Sequence, residues 1–163
     1  MKPTYRGPAP SGCTPAGLVF VLLSWLMAPA AHAVLGETAD SIQADQIRLR
    51  GQRVQRLDWP MQVHEIRMGD GSTLREFVNA EGRVFAVAWR SRLKPDLKAL
   101  LGQHFDGYAK QWQPATHALA ARRMQRTNLP DLVVQISGRQ QAFAGVAYLP
   151  SQVPQGVDLG QLR

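Results

Sequence analysis

The chain has 163 residues, room for one domain rather than two. Its 19 Lys and Arg against 12 Asp and Glu give a net charge of +7, and 15 of those 19 are Arg. The single cysteine, Cys13, excludes a disulfide framework within the chain.

Residues 1–33 differ in kind from the rest of the chain. Lys2 and Arg6 make a positive start, and Gly17 to Met27 (GLVFVLLSWLM) is an apolar run. APAAHA then brings Ala31 and Ala33 to the small-residue positions that a signal peptidase reads. This three-part pattern predicts a secretory signal cleaved before Val34, and hence a periplasmic or secreted protein. As a permanent anchor, the run of 11 residues falls short of the ~20 needed to span a bilayer. Cys13 lies ahead of the apolar run, not after it where a lipoprotein cysteine would sit, so a chain starting at Val34 holds no cysteine. Such a domain must be held by its core alone, and an oxidising compartment permits disulfides without requiring them. Without Lys2 and Arg6, 17 basic and 12 acidic residues leave a net +5. That balance suits an anionic envelope partner such as phosphorylated lipid A, lipid headgroups or acidic polysaccharide, while export argues against nucleic acid. A soluble surface rich in Arg accounts for it more simply.

Residues 34–58 (VLGETADSIQADQIRLRGQRVQRLD) begin polar and become basic. A short helix from Asp40 to Arg50, stopped at Gly51, is expected, although Ile42, Ile47 and Leu49 do not share one stripe. Arg48, Arg50, Arg53 and Arg56 cluster here and form the candidate anion-facing segment, with a solvated charged face as the plain alternative. From Trp59 the pattern changes to three strands, Met61 to Met68, Ser72 to Asn79 and Arg83 to Arg90. They are separated by Asp70-Gly71 and Glu81-Gly82, whose glycines take the positive φ of a tight hairpin. In the third strand Phe85, Val87 and Trp89 should face one way and Val84, Ala86 and Ala88 the other. The two alanines there leave room for close packing.

Leu97, Leu100, Leu101, Phe105, Tyr108 and Trp112 recur at spacings of three and four, which predicts a helical stripe packed on that sheet. Pro95 suits its first position, and Gly102 and Gly107 leave open one helix or two. Residues 117–126 (HALAARRMQR) have helical propensity but are read as a strand because a hairpin comes next. That hairpin pairs Asp131 to Ser137 with Gln141 to Leu149, and Pro150 and Pro154 then end regular structure.

The junction AHAVLGE, then VHEIRMGDGSTLREFVNAEGRVFAVAW, KPDLKALLGQHF, DLVVQISG and AFAGVAYLP together resemble a family of small exported proteins of Gram-negative bacteria known only as a domain of unknown function. The resemblance covers nearly all of the chain after residue 33. It implies export and a single domain, and carries no catalytic residues.

No familiar chemistry is complete. Ser91-Arg92-Leu93-Lys94 matches S-x-x-K, but Pro95 places the helix after Lys94, and the S-D-N and K-T-G partners are missing. His64, His104 and His117 show no metal-ligand spacing, and alternation sends His64 and Glu65 to opposite faces. Arg75-Glu76 are likewise split, one outward and one towards a cross-strand partner, with a structural salt bridge the simpler role. Neither a G-x-S-x-G elbow nor a glycine-rich phosphate loop is present.

The predicted fold is α+β: one small domain whose antiparallel β-sheet, a meander plus a C-terminal hairpin, packs against one or two helices. Residues 1–33 form the leader, 34–58 the basic segment, 59–150 the core and 151–163 a tail. The leading function is a non-catalytic periplasmic binding or accessory module with no cofactor and no metal. One alternative is an envelope-surface protein holding anionic lipid or polysaccharide through Arg48, Arg50, Arg53 and Arg56. The other is an enzyme assembled only in the fold, signalled by a deep pocket joining His64 or His104 to a carboxylate.

Overall fold

The computed structural model describes residues 35–111 and 125–162. Turn chemistry organises the first half. Asp70 accepts hydrogen bonds from the Ser72 backbone N–H (2.8 Å) and the Ser72 hydroxyl (2.9 Å), and Gly71 takes φ +82°. Asn79 accepts from the Arg83 N–H (2.9 Å), and Gly82 takes φ +74°. These two turns join β2 (Met61–Arg67), β3 (Thr73–Val78) and β4 (Val84–Ser91) into the expected antiparallel meander. A fourth strand, β1 (Gln52–Asp58), pairs with β2 along its whole length. The boundary expected at Trp59 therefore falls inside the sheet. β1 was hidden because it is an edge: its two apolar residues, Val54 and Leu57, are both exposed, so it has no buried face to show as alternation.

The second half is another meander, β5 (Gln125–Leu129), β6 (Leu132–Arg139) and β7 (Ala142–Tyr148). β7 pairs with β4, giving one seven-stranded antiparallel sheet in the order β1-β2-β3-β4-β7-β6-β5. Gln125 and Arg126 open β5, and residues 117–124 lie outside the described residues. β6 runs through Gly138, where a strand end was expected. The Phe143 ring lies over that glycine, and a Cβ there would stand 2.7 Å from it.

The helices pack on one face. α1 (Ser41–Leu49) ends with Arg50 in the left-handed region, φ +49°. Gly51 comes next because a Cβ there would meet Ile66 Cγ2 at 2.4 Å. The stripe beyond Pro95 is split into α2 (Leu97–Leu101), a 3-10 turn (Gly102–His104) and α3 (Phe105–Gln111). Asp96 is the N-cap, accepting from the Ala99 N–H (3.1 Å), so Pro95 precedes the helix and is not its first residue. Trp112 lies outside the described residues.

The helices cover Ile66, Leu74, Val87, Trp89, Val134 and Ala147, with Leu35, Ile42, Leu100, Leu101 and Tyr108 completing this core. A second core on the opposite face joins Met61, Val63, Phe77, Phe85, Val133 and Tyr148 to Leu162, with Val153 and Val157 packed alongside. The tail beyond Pro150 is thus part of the fold, and Leu162 is fully buried. Each large side chain buried in either core contributes roughly 1.5–3 kcal/mol. A bulge shifts the β3–β4 register between Phe77 and Val78, which corrects the expected facing of β4. Val84 joins Val87 and Trp89 on the helical side, whereas Phe85 joins Ala86 and Ala88 on the other, since one extra residue inverts the alternation.

Candidate functional site

The four candidate arginines do not share one surface. Arg48 on α1 pairs with Asp45 (Nη2–Oδ1 2.9 Å), one helical turn earlier. Arg53 donates from Nε to His64 Nδ1 (3.2 Å) across the β1–β2 pair. Arg50 caps α1, and Arg56, paired with Val63, looks to the opposite face of the sheet, 3.8 Å from Glu65.

Arg48 and Arg53 instead frame a buried polar cluster beneath α1. The β2–β3 register sets His64 directly opposite Glu76, and α1 lays Asp45 into the same region. His64 is 2 % exposed, and Asp45 and Glu76 are fully buried. Neither Glu76 oxygen, nor His64 Nε2, has a hydrogen-bond partner among the described residues. Burial, reinforced by Asp45, pushes the Glu76 carboxyl up to about 8 against the opposing Arg53 and Arg48. Burial, with Arg53 beside it, pulls His64 down to about 4. At neutral pH Glu76 is therefore protonated and His64 neutral, and Nδ1, as acceptor from Arg53, leaves the ring proton on Nε2. This histidine–carboxylate pair is the one that sequence alternation could not find, because its partners lie 12 residues apart on neighbouring strands. It is sealed from solvent.

The open site lies across the sheet. On the face away from the helices, a groove of about 480 Å³ crosses β2, β3, β4, β7 and β6. Its floor is small and apolar, with Ala88, Ala144 and Val146. Glu65, Thr73, Arg75 and Arg90 line one end, and Gln135 and Ser137 the other. Register makes Arg75 and Arg90 diagonal neighbours on one face, since Arg75 pairs with Ala88 and Thr73 with Arg90. Glu65, opposite Arg75, is engaged by Arg67 (2.6 Å) and Arg56 (3.8 Å). Neither Arg75 nor Arg90 has a carboxylate within ion-pair distance among the described residues. Burial and the Arg90 charge lower the pKa of Arg75, opposed by Glu65, and its guanidinium sits 5.9 Å from the Phe77 ring centroid. A second groove of about 340 Å³, lined by Arg56, Trp59, Met61, Phe77 and Gln161, shares Arg75 with the first. His64 and Glu76 line neither groove.

Why the groove exists is a matter of side-chain size. The C-terminal segment covers the half of this face that carries Phe77, Phe85 and Tyr148. Around the half-buried Ala144 the described residues leave this face open. Behind it, Trp89 lies so close to Gly145 that a Cβ there would stand 2.2 Å from the indole. Of the two alanines that the sequence marked for close packing, Ala88 lines the groove and Ala86 is buried in the core; Arg90, next in their alternation, carries no mark that sets it apart from the other arginines.

The remaining sequence candidates stay apart. Ser91 closes β4 and donates its hydroxyl to the Leu93 carbonyl. His104 is half-buried, its pKa lowered by burial against the opposing Asp131 charge, and His117 lies outside the described residues. Among the described residues no three His, Cys, Asp or Glu side chains gather as a metal site, and no helix is long and apolar enough to cross a membrane.

Fold and groove define a small α+β domain built on a single antiparallel sheet, closed by helices on one face and half-open on the other. The chain belongs to the family described as Protein of unknown function (DUF2844), which matches residues 31–162. No curated protein and no solved structure matches it.

Proposed function

We propose that the chain is an exported, non-catalytic binding module of the cell envelope that takes its ligand in the groove on the open face. The groove carries this reading: a concave, apolar-floored channel with a few polar groups at its ends is the usual form of a ligand site. The sealed His64–Glu76 pair supports a non-catalytic role, because a general acid or base must reach its substrate. Export rests on the leader pattern over residues 1–33.

The test is affinity capture from the organism's own envelope fraction with tagged residues 34–163 and with an Ala144→Trp variant, whose indole fills the channel. Mass spectrometry should find a molecule retained by the native protein and lost from the folded variant. Equal capture by both proteins, or none by the native one, rejects the groove as the site. N-terminal sequencing of the protein from fractionated cells should begin at Val34; an intact leader on a cytosolic protein rejects export.

A second reading, attachment to an anionic envelope surface, has one observation behind it. Trp59 is 86 % and Leu57 71 % exposed, and they lie together at the end of the edge strand that carries Arg53 and Arg56. Binding to anionic vesicles that weakens with salt, and that Trp59→Ser reduces, supports it. Salt-independent binding, or none at low salt, rejects it.

A further inference from the structure

Resting on the groove as the binding site, we propose that its ligand is an anionic amphiphile: a carboxylate or phosphate group seated between Arg75 and Arg90, with an apolar chain along the Ala88, Ala144 and Val146 floor. Two guanidinium groups project side by side from β3 and β4 into a partly enclosed channel, and the acid opposite Arg75 in register, Glu65, is already engaged by Arg67 and Arg56. Like charges so placed repel, and a bound oxyanion removes the repulsion while accepting paired N–H bonds from the planar guanidinium groups. Beyond the arginines the channel floor is methyl and isopropyl groups across two strands, β4 and β7, before Gln135 and Ser137 on β6 close it. A hydrated polyanion would leave that stretch unmatched, whereas a short alkyl or acyl chain buries it.

Calorimetric titration of residues 34–163 with octanoate, octyl phosphate, octanol and inorganic phosphate, all below micelle formation, tests this. Octanoate or octyl phosphate should bind, and whichever is tighter assigns the head group. Octanol and inorganic phosphate should each bind at least about tenfold more weakly, for want of the charge or of the chain. Arg90→Gln, at an exposed position, should weaken the charged ligand about tenfold or more and flatten its salt dependence. Arg75→Gln should do the same. Octanol binding as tightly as octanoate and octyl phosphate, with Ala144→Trp abolishing all three, overturns the anion seat but leaves the groove as the site. Binding that survives Ala144→Trp overturns both. Failure of both charged amphiphiles to bind the native protein, or full affinity in Arg90→Gln, overturns the proposal.

Discussion

The two faces of the sheet use the same strands and registers, and spend their polar residues in opposite ways. Under the helices, His64, Glu76 and Asp45 are taken out of water, and their charges are suppressed by burial or matched by Arg48 and Arg53. On the open face Arg75 and Arg90 stay in contact with solvent, and among the described residues neither has a carboxylate within ion-pair distance, although Glu65 stands opposite Arg75. A buried polar cluster tunes stability and its pH dependence, whereas charges left in solvent contribute little to either. The histidine–carboxylate pair thus lies on the face that is closed to solvent.

Substitutions can break this comparison, beginning with the largest effect. Trp89→Ala removes the ring that packs over Gly145 on the helical side and should cost about 3–5 kcal/mol, read by urea denaturation. Gly145→Ala places a methyl against the same indole and the Gln135 carbonyl, and should cost about 1–3 kcal/mol. If either change left stability intact, the helical core would not be the element that holds the sheet.

The pH profile sharpens the contrast. Glu76, raised from 4.5 to about 8, contributes stability that is complete below 4.5 and lost as pH climbs towards 8. His64, lowered from 6.5 to about 4, contributes stability that is complete above 6.5 and lost as pH falls towards 4. The two trends oppose each other between 4.5 and 6.5, so melting temperature should change little there and decline from 6.5 to 8. Glu76→Gln should abolish that alkaline decline. A decline retained in the variant would place its source elsewhere. On the open face, Ala144→Trp should leave stability within about 1 kcal/mol, because its side chain points into empty space. Ser91→Ala should be smallest, within about 0.5 kcal/mol, and neither protein should be labelled by a β-lactam.

Much of the architecture was legible along the chain. Asp70-Gly71 and Glu81-Gly82 marked the turns of the first meander because their geometry is local. Leu97, Leu100, Leu101 and Tyr108 marked the helical face because a period of three and four survives even the break at Gly102. β1 was not legible, since an edge strand need bury nothing, nor was the closure of the second face by Leu162, since one buried leucine leaves no period. The Arg48–Arg56 cluster was visible as composition, but alternation sends Arg53 to one face of the sheet and Arg56 to the other.

By itself the sequence determined an α+β domain, its turns, its apolar stripe and the residues available for chemistry, because each depends on neighbours a few positions away. Only the tertiary structure decided which of those residues meet. Strand register set Glu76 against His64 and Arg75 beside Arg90, and the bulge at Phe77/Val78 turned Phe85 from one core to the other. Pairing between strands is governed by total burial over the whole sheet, a sum that no short window of sequence contains.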